Sequence, residues 1–411
     1  MNIKLKKSSK LKSGSQIKIT GSKSESNRLL LLKALFPELT ILNLSNSDDS
    51  QVMQKALEDS TSPIIDIHHA GTAMRFLTAF FATQENRKVT ITGSLRMQER
   101  PIQILVDALR DLGADIQYLK NEGYPPLQIS GKCLEKNSVE LAANISSQYI
   151  SALLLIAPKL KNGLQLKLKG KITSVPYIKM TLALLEQIGV ETHFDNNILE
   201  IKPQNQNLKT KTLIVESDWS SASYYYSIVA LSALGTEIEL SSYKETSLQG
   251  DSVLASIYKS FGVTTTFKNN SIVLYKNETI DSNILVELDL ANAPDIAQTI
   301  AITCLGLQIP CKLSGLHTLK IKETDRLVAL KTEIEKFGAT VEITDNSLEI
   351  SKFNPLKSKV KIATYNDHRM AMAFAPLALK KTFTVNEAEV VSKSYPEFWK
   401  DLKSIGFQLK K

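Results

Sequence analysis

Hydrophobic positions along the chain fall into two recurring patterns, and each predicts one kind of element. In LRDLG, LEQIG, YKSFG, IEKFG and LKSIG an amphipathic run ends on an apolar residue followed by glycine, at Gly113, Gly189, Gly262, Gly338 and Gly406. Glycine is the residue that closes a helix in the left-handed conformation. After three of these glycines the period changes from helical to alternating. VETHFDNNILEI, VTTTFKNNSIVLY and ATVEITDNSLEI each read as a strand, a polar turn and a second strand. The glycines lie 76, 73, 76 and 68 residues apart, a regularity that marks a duplicated unit.

A second series runs between them, in which small or polar residues open an apolar helix: AGTAMRFLTAFF, ISSQYISALLLIA, DWSSASYYYSIVAL, APDIAQTIAITCL and NDHRMAMAFAPLAL. The openings near Gly71, Ser147, Ser220, Pro294 and Asp367 are 76, 73, 74 and 73 residues apart, so both series share one period. Each unit reads β-α-β-α-β-β, and the chain has room for about six. The pattern predicts an α/β protein of two domains, each of three units with helices enclosed by sheets. Polar joints at Gly21-Ser22 and Glu216-Ser217 predict a chain that crosses twice between domains. Residues 1–21 and 217–411 form one domain in this reading, and 22–216 the inserted other.

With 43% hydrophobic and 22% charged residues in 411, the chain is globular and long enough for two cores. The N-terminal MNIKLKKSSKLKSGSQ lacks the apolar run of a signal peptide and no apolar stretch is long enough to span a bilayer, so a cytoplasmic protein is expected. Cys133, Cys304 and Cys311 have no metal-ligand spacing and are expected to be small buried hydrophobes. The net charge of +8 admits nucleic acid, an acidic membrane surface or small anions. Its distribution favours small anions, because no basic block is interleaved with aromatics; Tyr224, Tyr225 and Tyr226 lie in an apolar stretch and are expected in the core. An RNA-binding module is the alternative from another class, and it leaves the carboxylates embedded among the cations unexplained.

The chemistry is written at helix openings, where free backbone N–H groups attract anions and basic side chains need a reason. In GSKSESNR, Ser22 and Glu25 have capping-box spacing, which puts Lys23 and Ser24 in a first turn and Arg28 four residues after Ser24. KETDRL sets Lys322 and Arg326 four apart at a helix start, with Glu323 and Asp325 between them. NDHRMAM opens an apolar helix with Asp367, His368 and Arg369; RMQERPI places Arg100 before Pro101, read as a first helical position; ISSQYIS offers Ser146, Ser147 and Gln148 as neutral donors. Singly, each is also what a capped, solvated helix would carry, and His368 reads equally as a buried, satisfied histidine. Together they predict anion-binding faces meeting in a cleft that also holds Asp218, Asp295 and Glu323 for acid–base chemistry. Empty cationic half-sites would repel each other, so ligand anions are expected to draw the domains together. No glycine-rich nucleotide loop, metal-ligand cluster or Ser-His-Asp pattern competes.

GSKSESNR, AGTAMRFL, RMQERPI, SSQYISALL, VPYIKMTL, SDWSSAS, PDIAQTIA, KETDRL, NDHRMAMAF and SKSYPEFW resemble, in order, the motifs of EPSP synthases, from about residue 20 to residue 399. KETDRL and NDHRMAM are the most specific. The resemblance implies the enolpyruvyl transferase fold, an inside-out α/β barrel of three units in each domain. It implies transfer of the enolpyruvyl group of phosphoenolpyruvate to the 5-hydroxyl of shikimate 3-phosphate, in aromatic amino acid biosynthesis. No metal and no cofactor are implied, no nucleic-acid or membrane partner, and a monomer. Residue by residue, Lys23, Ser24 and Arg28 are implied to meet shikimate 3-phosphate, with Lys23 reaching both substrates. Ser146, Ser147 and Ser174 resemble phosphate and hydroxyl donors, Gln148 lies between the substrates, and Tyr177 flanks the ring. Arg100, Arg326, Arg369 and Lys393 resemble the clamp on phosphoenolpyruvate, with the Gly71 backbone beside it. Asp295 resembles the base for the 5-hydroxyl, Glu323 the acid for the methylene carbon, and Lys322 a lysine near the target hydroxyl. The discontinuous domain is thereby implied to hold the phosphoenolpyruvate side and the catalytic carboxylates, and the inserted domain mainly shikimate 3-phosphate.

Three positions depart from the family pattern: His69 where asparagine is usual, Phe76 where proline is usual, and Thr318 where asparagine is frequent. His69 and Phe76 bear on the surroundings of Gly71, where the resemblance also implies binding of the inhibitor glyphosate. The related UDP-N-acetylglucosamine enolpyruvyl transferases would need a reactive cysteine in an exposed loop, a place in which none of the three cysteines is expected.

Overall fold

The structure, a computed structural model, describes residues 1–411 except 9–10, 144–145, 171, 173–174, 205–208 and 282–283. By its internal contacts the chain divides into two compact units, Met1–Thr20 with Glu216–Lys411 (unit 1) and Gly21–Val215 (unit 2). Each is built from the repeat that the hydrophobic pattern predicts.

In unit 1 the repeat is complete three times. The strand Val286–Asp289, the helix Ala297–Leu307, the strand Cys311–Ser314, the helix Arg326–Lys336 and the hairpin Ala339–Ile343/Leu348–Phe353 follow one another in the chain. In the sheet the first two strands pair in parallel, as strands joined by a helical crossover must, and the hairpin adds antiparallel. The other two sheets of unit 1 borrow a strand from the N-terminus: Ser15–Ile17 pairs in parallel with Glu237–Ser241, and Ile3–Lys6 lies between Phe383–Val385 and Gln408–Lys410. Unit 2 has two four-stranded sheets of the same pattern and a two-stranded one, Leu39–Leu42 with Lys211–Ile214.

The local chemistry explains these elements. All five repeat-ending glycines have positive φ, from 70° at Gly262 to 111° at Gly113 and Gly406. The hairpins VETHFDNNILEI and VTTTFKNNSIVLY turn on Asn196-Asn197 and Asn269-Asn270, each with two positive φ values, which a two-residue turn of matching twist requires and asparagine tolerates. Strands such as Leu164–Lys169 bury every second residue, so one face covers a core and the other meets water. The helices Gly71–Ala82, Trp219–Leu231 and Ala297–Leu307 are buried almost all round, as helices in the middle of a unit must be. Helices therefore fill the interior and sheets form the wall. Tyr224, Tyr225 and Tyr226 are all in the core of unit 1.

Two features differ from the sequence reading. Cys304 and Cys311 are buried, but Cys133 is exposed, in the segment after the strand Leu127–Ser130, because only Leu134 beside it turns inward. Pro101 is not a first helical residue: the helix begins at Gln103 with Ile102 at its cap position. The Pro101 carbonyl instead accepts hydrogen bonds from Arg75 Nη2 (2.8 Å) and the Tyr149 hydroxyl (2.6 Å), which fixes the chain beside Arg100. Among the described residues, no helix is long and apolar enough to cross a membrane.

Both passages between units are locally constrained. At Gly21 any Cβ would overlap the Asn43 carbonyl oxygen, so only glycine fits. At the second passage Glu216, 2% exposed, accepts hydrogen bonds from Trp219 Nε1 (2.8 Å), the Lys244 amide (2.9 Å) and Ser247 Oγ (2.5 Å). Removing a buried acceptor strands its donors, at about 1–3 kcal/mol each. Glu216→Ala should therefore lower stability by about 3 kcal/mol or more, read as a fall in the urea midpoint; a change within about 0.5 kcal/mol would show that the donors find water.

Candidate active site

In unit 1 acidic residues stand at several helix openings. Asp218 caps Trp219–Leu231, accepting from the Ser221 amide at 2.7 Å; Asp325 caps Arg326–Lys336; Asp367 caps His368–Phe374; and Asp295 sits in the turn Pro294–Ile296 that leads into Ala297–Leu307. Two of these side chains, Asp295 and Asp367, meet at Arg326, which is 1% exposed. Its Nε donates to Asp367 Oδ2 (2.7 Å), Nη1 to Asp295 Oδ1 (3.0 Å) and Nη2 to Glu323 Oε2 (3.0 Å). Burial opposes the charge of this guanidinium, but Asp367, Glu323 and Asp295 together outweigh it and hold its pKa above the ordinary arginine value.

Arg369 joins the same carboxylate from the other side. Its Nη2 is 3.3 Å from Asp295 Oδ2 and donates to Ser220 Oγ at 3.2 Å, and its Nη1 donates to the Asp295 carbonyl at 3.1 Å. Lys322 Nζ lies 3.6 Å from Asp295 Oδ1; burial lowers its pKa against the pull of Asp295. Lys393 Nζ donates to the Asn366 carbonyl at 2.6 Å, and Tyr365 and Asn366 both have positive φ, 54° and 55°. That left-handed turn costs on the order of 1–3 kcal/mol per non-glycine residue and directs Asp367 inward. Thr318 Oγ1 is buried with no hydrogen-bond partner among the described residues, an unspent donor and acceptor.

Two expectations change here. Lys322 and Glu323 are not in the first turn of a helix; the side chain of Asp325 accepts from the Leu327 and Val328 amides (3.1 and 3.2 Å), so the helix begins at Arg326. Nor are the cations of unit 1 unopposed. Lys322, Arg326 and Arg369 stand against Asp218, Asp251, Asp295, Glu323 and Asp367, so mutual repulsion of bare cations is not a property of this half.

In unit 2, Ser22 caps the helix Lys23–Leu35, accepting from the Glu25 amide at 3.5 Å, and Lys23 Nζ lies 3.6 Å from Asp49. Arg28 is 2% exposed and turned into the protein: it donates to Thr181 Oγ1 (2.8 Å), Ser151 Oγ (3.0 Å) and the Ser24 carbonyl (2.7 Å), with its guanidinium 5.5 Å from the Phe76 ring and 5.9 Å from Tyr177. Burial pulls its pKa down to about 10. Phe76 leaves its helix unbroken and covers this cation. Ser146 caps Ser147–Ile156 through the Gln148 amide, and Gln148 Nε2 donates to Thr72 Oγ1 at 3.1 Å, which joins the helix openings at Gly71 and Ser147. The Arg100 guanidinium lies against Gly71: an added Cβ would overlap Nη1 and stand 3.0 Å from Cζ. Arg100 Nε is buried with no partner among the described residues. His69 Nδ1 is 2.8 Å from Ser94 Oγ, 25 residues further along the chain. Ser174 lies outside the described residues.

The structure thus brings Asp295, Lys322, Glu323, Arg326 and Arg369 together in unit 1, and Gly71, Arg100, Ser146, Ser147 and Gln148 into neighbouring turns of unit 2. Sequence reasoning did not single out Asp49, Thr72, Arg75, Ser220 or Asp251. Thr72 and Ser220 occupy opening turns already marked by the repeat and were within reach; Asp49 and Asp251 come from segments with no pattern of their own. Among the described residues, no group of three or more His, Cys, Asp or Glu side chains is arranged to hold a metal ion.

The profile of a family described as EPSP synthase (3-phosphoshikimate 1-carboxyvinyltransferase) matches residues 55–402. A 3-phosphoshikimate 1-carboxyvinyltransferase from Bacteroides fragilis is 48% identical over 410 residues, covering 97% of this chain and 98% of its own length. One from Shewanella piezotolerans is 37% identical over 418 residues, covering 95% and 96%. An EPSP synthase structure from Acinetobacter baumannii matches 100% of both chains with a TM-score of 0.80 at 19% identity, and the enolpyruvyl transferase NikO from Streptomyces tendae gives 0.75 over 100% and 98% at 12% identity. These two likenesses establish the two-domain enolpyruvyl transferase fold. With its repeat, its motifs and full-length relatives in agreement, the chain belongs to the EPSP synthase family of enzymes.

Proposed function

We infer that the chain transfers the enolpyruvyl group of phosphoenolpyruvate to the 5-hydroxyl of shikimate 3-phosphate, releasing phosphate, and that Asp295 and Glu323 carry the proton transfers. The observation that supports these assignments is the meeting of Arg326, Arg369 and Lys322 on the one carboxylate of Asp295, with Glu323 on the far end of Arg326. Glu323 protonates the methylene carbon, which makes the central carbon electrophilic. The 5-hydroxyl oxygen adds there as Asp295 takes its proton. Phosphate then leaves, the Glu323 carboxylate takes back a methyl proton to restore the double bond, and the proton on Asp295 departs with the phosphate. The electrophile comes from protonation, so the reading calls on no metal and no cofactor.

Arg326, Arg369 and Lys393 of unit 1 and Arg100 of unit 2 supply the charge that phosphate and carboxylate require. As the anion takes up the guanidiniums, Asp295 loses salt-bridge partners and becomes the better base. Ser146, Ser147, Gln148, Ser174, Lys23 and Ser24 serve shikimate 3-phosphate, with Tyr177 against its ring; Arg28 shapes that side from behind, through Ser24 and Tyr177. Thr318, with its free hydroxyl, offers one further hydrogen bond. The enzyme acts in the cytoplasm as a monomer.

Purified protein should release phosphate only when both substrates are present, and Asp295→Ala or Glu323→Gln should lower turnover by about 10² to 10⁴, the range for a general acid or base. Near-normal turnover in either variant would remove that residue from the mechanism.

A second prediction concerns Gly71. A methyl group there meets the protein's own Arg100 before any ligand. Gly71→Ala should therefore raise both the KM for phosphoenolpyruvate and the inhibition constant of glyphosate, by about 5- to 150-fold for an overpacking cost of about 1–3 kcal/mol. A rise in the inhibition constant alone would contradict displacement of Arg100 as the cause.

A further inference from the structure

We propose that Asp251 is a positioning residue for this reaction: through Ser220 it sets the aim and electrostatic surroundings of Arg369, and it takes up a proton when phosphoenolpyruvate binds. The inference rests on the reading of Arg369 as a phosphoenolpyruvate ligand.

Asp251 lies in the turn Gly250–Val253 and is 4% exposed. One oxygen, Oδ2, accepts a short hydrogen bond from Ser220 Oγ, and Ser220 Oγ in turn accepts from Arg369 Nη2 at 3.2 Å. The other oxygen, Oδ1, is buried without a hydrogen-bond partner among the described residues. The charged groups that face Asp251 are Asp295, Arg369 and Asp218, two carboxylates against one guanidinium. An ionised carboxylate with one bare oxygen and two like charges nearby is costly. Burial first and Asp295 second push its pKa up to about 7, against the pull of Arg369 and the Ser220 hydrogen bond. Asp251 can therefore gain or lose a proton near neutral pH, and two hydrogen bonds through Ser220 Oγ couple that change to Arg369.

The consequence for binding has a definite sign. Protonated Asp251 removes one negative charge that competes for Arg369, and a phosphate or carboxylate placed on Arg369 raises the proton affinity of Asp251 further. Below about pH 7 the proton is already in place; above it, binding of phosphoenolpyruvate must be accompanied by uptake of a proton from solvent. The KM for phosphoenolpyruvate should therefore carry a rise with pH that begins near 7.

Steady-state kinetics from pH 6 to 9 on the native enzyme and on Asp251→Asn, an isosteric stand-in for the protonated acid, test this. The ratio of native to variant KM cancels the titration of phosphoenolpyruvate itself. It should climb about tenfold between pH 6 and 8.5, the effect of roughly one unit of pKa, while the ratio of kcat values stays flat with pH. A KM ratio independent of pH would overturn the proposal. Absence of any phosphate release by the native protein would instead overturn the assigned reaction, so the two failures are distinct. Ser220→Ala is the second variant: it deletes the hydrogen bond that favours ionised Asp251, so the rise in KM should begin at higher pH, and an unmoved midpoint would contradict the path. Substrate-free unfolding gives a readout apart from activity. A carboxyl whose pKa is raised by folding subtracts stability as pH climbs from its unfolded value towards its folded one. The urea midpoint of Asp251→Asn should gain on the native midpoint from about pH 4 to about 7 and then level off; a constant difference would count against the buried titration.

Discussion

The buried guanidinium of Arg326 is the constraint on which the polar cluster of unit 1 depends. It holds Asp295 and Asp367, which stand at two different helix openings, and Glu323, from the segment just before its own helix, and it does so at 1% exposure. A buried charge is tolerable only when it is paired and hydrogen-bonded, and removing one partner of such a pair costs about 3–5 kcal/mol. The cage thereby fixes Asp295 and Glu323, the proposed base and acid, relative to each other. It also means that the cations already stand against carboxylates. In the proposed reading an anion enters by exchanging with those carboxylates, and the proton chemistry follows from the exchange, since a carboxylate that loses a guanidinium gains proton affinity.

The other unit solves its task differently. Around Gly71, Ser146, Ser147 and Gln148 the polar groups are hydroxyls, an amide and backbone N–H groups, and the Arg100 Nε is left without a partner. Arg28, another cation of this unit, is spent on Thr181, Ser151 and the Ser24 carbonyl. Phe76 belongs to that arrangement, because its ring covers the guanidinium while its helix runs on undisturbed.

Much of this architecture was legible in the sequence because backbone geometry restricts residue choice. Glycine at positive φ ended five helices, paired asparagines marked two hairpins, and a period near 74 residues followed from the glycines and the helix openings. The helix openings were legible for the same reason. What could not be read was which side chain each opening recruits. KETDRL offers two acids before Arg326, and only the fold decides that Asp325 caps the helix while Glu323 turns to the guanidinium. Pro101 looked like a helix start, yet its carbonyl is held by Arg75 and Tyr149 from elements distant in the chain. Asp251 lay in a segment without periodicity, and Cys133 beside apolar residues gave no sign that its own side faces water.

The most direct test of partner exchange is a crystal structure with shikimate 3-phosphate and an unreactive phosphoenolpyruvate mimic bound. Arg326 should keep Asp367, its shortest contact at 2.7 Å, and give up Asp295 or Glu323 to an oxygen of the mimic. If all three carboxylates remain on Arg326 with the mimic held elsewhere, the cage is only a scaffold and the central claim is wrong.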